Sequence, residues 1–135
     1  MNVDVPNRSL AKRWGNHESL LEGGWVGVPV AFLSNYGNLI QYGGLTSAEA
    51  MFVLQLMAFK WSEDAPFPSY TTLAKRMGIT DKQARRYAKA LEDKGFLNRT
   101  ARIGSTNSFD LQPLFDALAK AHLSTNLRAA AKKAA

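Results

Sequence analysis

The stretch from Pro68 to Asn107, PSYTTLAKRMGITDKQARRYAKALEDKGFLNRTARIGSTN, constrains the fold more than any other part of this chain. Its stops and starts are unusually well marked. Ser69 can cap a helix by accepting a backbone N–H, and Leu73, Ala74 and Met77 then recur at helical spacing. Gly78 ends that helix, because the position after a helix favours a residue that tolerates the left-handed conformation, and Ile79 can fold back onto the last turn. Thr80 opens a second helix. Thr80-Asp-Lys-Gln83 has the form of a capping box, in which each end satisfies an orphan amide of the other. The same ending recurs at Gly95-Phe96. Two helices joined by so short a turn must cross steeply, which is helix-turn-helix geometry.

The second of these helices has two chemically distinct faces. At 100° per residue, Ala84, Ala88 and Leu91 fall together, and the small alanines permit close helix packing. Lys82, Arg86 and Lys89 fall on the opposite side, flanked by Gln83 and Arg85. Such a face can be an ordinary solvated one. It can also enter the major groove of DNA, which is wide enough for one α-helix and whose guanine and adenine edges Arg and Gln can bond in pairs.

Charge distribution favours the second reading. Between Pro68 and Asn107 the cations are Lys75, Arg76, Lys82, Arg85, Arg86, Lys89, Lys94, Arg99 and Arg102, against Asp81, Glu92 and Asp93. The rest of the chain carries equal numbers of each sign, so this segment holds the whole formal net charge of +6. A basic patch confined to a helix pair and the segment after it is the footprint of a polyanion ligand.

At 135 residues, 46% hydrophobic and 21% charged, the chain is expected to form one domain with terminal extensions: an arm at 1–24, a domain at 25–122 and a tail at 123–135. It has no cysteine, hence no disulfides or thiolate metal sites. No apolar run reaches membrane-spanning length, and the first residues lack a signal-peptide core, so a cytoplasmic, nucleoid- or plasmid-associated location with no membrane partner is expected. His17 and His122 are the only histidines, and no phosphate-binding loop, nucleophile elbow or metal-ligand spacing occurs. The expectation is a protein without catalytic residues, metal or cofactor.

Along the chain, Arg8, Lys12 and Arg13 form a basic cluster, either an arm on DNA phosphates or a loosely ordered terminus. Trp25 to Leu33 (WVGVPVAFL) is expected to be a short strand that Pro29 limits to an edge, with Ala31 to Leu33 starting a helical turn. The rings of Tyr36 and Tyr42 suit either base stacking or the edge of a core. Thr46-Ser-Ala-Glu49 is a second capping box, opening a helix to about Trp61 that is apolar nearly all round. Such a helix needs covering on every side, by residues 8–40 or by a second copy through Val53 and Leu56. After Gly95, Phe96 to Ile103 and Ser108 to Leu111 form a hairpin about Gly104-Ser-Thr-Asn107. Leu97, Phe109 and Leu111 then face inward, Arg99 and Arg102 lie near the tip, and Ser105, Thr106 and Asn107 offer donors. Pro113 to His122 is a closing helix with Leu114, Leu118 and Ala121 on one side. The Ala-rich tail from Ser124 has helix propensity but would be marginal alone.

This order of elements resembles the winged helix-turn-helix domains of bacterial, plasmid and phage proteins, above all those of replication-initiator and DnaD-type proteins. The residues that carry the resemblance are WVGVPVAFL, LTSAEAMFVLQLMAF and FPSYTTLAKRMGITDKQARRYAKALEDKGFLNRT, within 25–115. It implies a mainly α fold with a small β-hairpin wing (α+β). Ser69 to Met77 would be the positioning helix, Asp81 to Lys94 the recognition helix and Ile103 to Ser108 the wing tip. Ala84 and Ala88 are smaller, and Tyr87 bulkier, than the residues usual in such helices.

The function so implied is sequence-specific binding of double-stranded DNA. The recognition helix at 81–94 would enter the major groove, and the wing at 99–108 would reach the adjacent groove or backbone. Lys82, Gln83, Arg86 and Lys89 are the expected base readers, with Arg85 beside them. Ser69, Tyr70, Thr71, Lys75 and Arg76 are expected on phosphates, and Arg99, Arg102, Thr106 and Asn107 at the neighbouring groove. Plasmid or phage replication initiation, transcriptional regulation and partition (centromere binding) all suit such a domain, as does a protein–protein module without DNA binding. A chain continuing past Ala135 would favour initiation, and one ending there a small regulator. A homodimer is expected, through Val53 and Leu56 of the apolar helix and through the C-terminal segment, together with replication or transcription partner proteins, because one recognition helix reads only a few base pairs.

Overall fold

The computed structural model describes residues 10–39, 43–59, 65–102, 104 and 106–134, with the side chains of 127–129 and 133–134 outside the description. Among the described residues, beyond the helical Leu10 and Ala11, the α-helices are α1 (Val30–Asn35), α2 (Ser47–Ala58), α3 (Tyr70–Met77), α4 (Asp81–Asp93) and α5 (Gln112–Ala134). A hairpin of β1 (Asn98–Thr100) and β2 (Ser108–Asp110) lies between α4 and α5, and short 3-10 turns lie at Lys12–Trp14, Glu18–Leu21 and Tyr36–Asn38. The architecture is mainly helical with a small two-stranded wing.

Local signals set most of these boundaries. Thr46 and Glu49 form a complete capping box on α2: the Thr46 hydroxyl accepts from the Glu49 amide at 3.1 Å, and the Glu49 carboxylate accepts from the Thr46 amide at 2.8 Å. Ser69 caps α3 through the Thr72 amide, and Thr80 caps α4 through the Gln83 amide, each at 3.1 Å. For α4 this is the Thr80 half of the expected pair. Gly78 sits at φ +67°, and the Ile79 amide returns to the Ala74 carbonyl at 3.0 Å. Gly95, at φ +78°, and Phe96, bonded to the Leu91 carbonyl at 2.9 Å, close α4 in the same way.

The core is one cluster. Phe52, Val53 and Leu56 of α2, Leu73 of α3, Ala84, Ala88 and Leu91 of α4, Phe96, Phe109 of the wing and Leu114 of α5 are all fully buried. Their number and continuity make the helix pair, the wing and α5 parts of one packed unit rather than separate modules. Ala84 and Ala88 let α4 lie close against its neighbours. The bulky Tyr87 is accommodated by turning its ring towards Phe52, 6.2 Å away between centroids.

Three expectations are corrected. Residues 25–33 hold no strand: Trp25 to Val28 are irregular, and Pro29 is the N-cap of α1 rather than an edge-strand residue. Proline's lack of an N–H and its fixed φ suit a helix start as well as a strand edge, and only packing decides between them. Val53 and Leu56 are not available to a second copy, because Phe32, Leu39 and Leu45 of the same chain join them in the core. The helix from Thr46 ends at Ala58, with Phe59 as its cap, short of Trp61, which lies outside the described residues. Past His122 the tail continues α5 without a break to Ala134. Tyr36 proves to be a core-edge residue, its ring 5.7 Å from that of Phe32, while Tyr42 lies outside the described residues.

The connection into α2 depends on one glycine. Gly44 has φ +86°, and a Cβ there would stand 2.5 Å from the Tyr36 carbonyl oxygen. That close approach lets the Leu45 amide reach the same oxygen at 2.7 Å, which ties Leu45, just before α2, back to Tyr36.

Candidate nucleic-acid interface

The site is built outward from α3 and α4. Burial of Ala84, Ala88 and Leu91 turns Lys82, Arg85, Arg86 and Lys89 to solvent. Lys82 and Arg86 stand exposed with no ion pair among the described residues, while Lys89 meets Asp93 at 3.3 Å across one exposed turn. Gln83 is half-buried, on the flank of α4 that turns towards Tyr87. On α3, Thr71, Lys75 and Arg76 are exposed. Thr71 donates to the Asp81 carboxylate at 2.8 Å, which brings the start of α3 to the start of α4 and sets Lys75, one turn further on, beside the recognition face. The Arg76 guanidinium lies over the Phe59 ring, 4.4 Å from its centroid.

The wing is held by an aromatic and ionic network. In the antiparallel pairing Asn98 faces Asp110, Arg99 faces Phe109 and Thr100 faces Ser108. Phe109 is fully buried and meets Tyr70 edge-on at 5.7 Å. Directly across the ladder, Arg99 donates to the Tyr70 hydroxyl. Its Nη2 lies 2.7 Å from Glu92 Oε1, within ion-pair range though misaligned for a hydrogen bond. The bond to Tyr70, and then the fields of Tyr70 and Glu92, hold the Arg99 guanidinium above its ordinary pKa against a partial loss of hydration, so it stays charged. Arg85 completes the group from α4, its guanidinium 4.8 Å from the centroid of the Tyr70 ring.

Several expected contact residues are therefore placed differently. Tyr70 is 8% exposed and belongs to the core, where its hydroxyl meets Arg99 and its ring Arg85. Arg99 is not at the tip; it lies at the base of the wing, bridging Tyr70 and Glu92. Ser69 is occupied as the cap of α3, its hydroxyl also donating to Thr72 at 2.9 Å. Thr106 donates to the Phe67 carbonyl. Arg102 does lie beyond β1 as expected, with its guanidinium 4.4 Å from the centroid of Phe67, and Asn107 is half-buried just before β2. Ile103, Ser105 and Arg8 lie outside the described residues, while Lys12 and Arg13 are exposed on their 3-10 turn. Lys94, counted with the basic patch, turns inward to Glu49, 2.5 Å away, and to the Gly44 carbonyl at 3.1 Å.

The residues that sequence reasoning missed are Phe67, Glu92 and Lys94. Glu92 and Lys94 look like solvated helix residues, and their partners are distant in the chain. Phe67 carried one signal, its place between Pro66 and Pro68.

Helices α3 and α4 joined by the short turn at Gly78–Thr80, a hairpin docked on their shared core and a cationic outer face define a winged helix-turn-helix. Residues 42–97 match the model of a helix-turn-helix domain family. The structure is similar to the crystal structure of the N-terminal domain of DnaD protein from Geobacillus kaustophilus HTA426, with a TM-score of 0.61 and 25% sequence identity over 90% of this chain and 96% of that one. The domain is thus a winged helix-turn-helix, similar in fold to that N-terminal domain. No curated protein matches the chain.

Proposed function

We propose that this protein is a non-catalytic, sequence-specific binder of double-stranded DNA, with α4 in the major groove and the wing on the adjacent groove or backbone. The observation that carries this reading is the outward face of α4. There Lys82, Arg85, Arg86 and Lys89 project from a helix whose other side is locked by Ala84, Ala88 and Leu91. A rigid helix with a protruding cationic face satisfies both requirements of groove recognition, phosphate neutralisation and base-edge bonding. Lys82 and Arg86 are assigned to bases, with Gln83 at the flank; Lys75, Arg76 and Arg85 are assigned to phosphates.

Among biological roles, the DnaD-like architecture favours replication, with initiation on a plasmid or phage as its specific form, over transcriptional regulation or partition. We assign the protein to the cytoplasm, on DNA; among the described residues no helix is long and apolar enough to cross a membrane. A homodimer suits two-fold DNA sites. Its surface is assigned to α1, where Val30 is 73% and Leu33 55% exposed, in place of the buried α2. Sedimentation that gives a monomer both free and on DNA would remove the dimer.

The test is selection of bound duplexes from random DNA, then titration of the winner by fluorescence anisotropy across a salt series. Specific binding with a steep salt dependence is expected. Equal affinity for the selected and a scrambled duplex would remove sequence specificity. No binding at low salt would remove the reading altogether.

A further inference from the structure

Two arginine–aromatic stacks run from the recognition helix to the wing, and they differ in one respect. In the first, Arg85 lies on Tyr70, whose ring is buried against Phe109. In the second, Arg102 lies on Phe67, whose ring is 56% exposed. Phe67 nonetheless has a closely held backbone. Pro66 and Pro68 on either side are both buried, the Pro66 carbonyl accepts from the Phe109 amide at 2.8 Å, and the Phe67 carbonyl accepts from the Thr106 hydroxyl. The chain anchors both sides of this residue to the wing while leaving most of its large apolar side chain in water, from which a covering surface would remove it favourably.

The position of the ring says what covers it. It stands at the wing, three residues before Tyr70, its backbone tied to Thr106 and its face stacked on Arg102. A guanidinium stacked by its face keeps its in-plane N–H donors free for an anion. An apolar ring bordered by such donors matches the edge of a DNA duplex, where apolar sugar and base surface alternates with phosphate. Proteins that read the minor groove use Phe as an apolar wedge and Arg beside it in this way.

Resting on the DNA-binding reading above, we propose that Phe67 and Arg102 form a second DNA-contact element. The Phe67 ring lies against the sugar–base edge of the groove next to the one that α4 enters, and Arg102 holds the flanking phosphate. Tyr70, by contrast, contacts only protein and serves to aim Arg85 and Arg99.

The experiment measures binding of the full chain to the selected duplex and to a random-sequence duplex across a potassium chloride series, for Phe67→Ala, Phe67→Leu, Arg102→Ala and Arg86→Ala. Phe67→Ala is expected to weaken binding to both duplexes by roughly tenfold with an unchanged salt slope, since it removes apolar contact and no charge. Phe67→Leu should recover most of the loss. Arg102→Ala should lower the salt slope by about one. A photo-reactive phenylalanine analogue at position 67 should cross-link to labelled duplex, which reports contact independently of stability. Wild-type binding by Phe67→Ala, or no cross-link, with Arg86→Ala still impaired, would overturn this inference and leave the proposed function standing. Wild-type binding by both Phe67→Ala and Arg86→Ala would overturn the two together.

Discussion

The recognition helix and the wing both contribute arginines to the basic side of the molecule, but they hold them differently. On α4, Lys82 and Arg86 project from a face whose reverse is packed with alanine and leucine. In the wing, Arg99 is tied to Tyr70 and Glu92, and Arg102 is stacked on Phe67. The lesson is that formal charge is not available charge. Of the cations between Pro68 and Asn107, Lys94 and Arg99 serve internal carboxylates, Lys89 is partly offset by Asp93, and the free positive surface narrows to α3, α4 and Arg102. The helix presents its cations to solvent; the base of the wing uses Arg99 to tie the hairpin to α3 and α4.

The sharpest way to break this contrast is to show that the wing folds apart from the helix. Phe109→Ala removes a fully buried ring shared by the wing, Tyr70 and the core, and should cost about 3–5 kcal/mol in denaturant unfolding. Loss of the hairpin alone, with the main unfolding transition unmoved, would mean that the two regions are energetically separate. Next in size, Arg86→Ala should cost about 1–3 kcal/mol of binding and relax preference at one base-pair position, with the melting temperature unchanged. An equal loss on cognate and random duplex would move Arg86 from base reading to phosphate contact.

Arg99→Ala tests the holding role. Its ion pair is about a third exposed, so solvent screening limits the stability loss to roughly 1 kcal/mol. The loss of DNA affinity should be smaller than for Arg86→Ala and should be reproduced by Tyr70→Phe with Glu92→Gln, which removes both partners and leaves the arginine in place. If that double variant binds DNA as tightly as wild type while Arg99→Ala does not, Arg99 contacts the ligand itself. The smallest effect is expected for Lys89→Ala. Its exposed pair with Asp93 should contribute about 0–0.5 kcal/mol to stability, and the salt slope of binding should fall by at most about one. A larger change in stability would show that this face of α4 is covered by protein.

Much of the fold follows from short-range rules. Ser69, Gly78, Thr80 and Gly95 each act within a turn or two, so the helix pair and its limits can be derived from the chain alone. The outward face of α4 follows equally, because a helical period assigns Ala84, Ala88 and Leu91 to one side whatever they pack against. Failures lie where a local signal has two physical uses. Pro29 suits an edge strand or a helix cap, and the core formed around Phe32 selected the cap. The alanine-rich tail is too short to hold a helix by itself, but as a continuation of α5 it meets no new nucleation cost.

What the order of residues determined by itself was the helix pair, its caps and glycine stops, the sign of the patch and the outward set on α4, because each rests on contacts between near neighbours. What tertiary structure alone decided was the fate of each charge and ring. Lys94 met a carboxylate 45 positions away, Arg99 a hydroxyl 29 away, and Thr106 a carbonyl 39 away that ties down Phe67. Such pairings depend on where the chain returns in space, and no periodicity or propensity encodes that return.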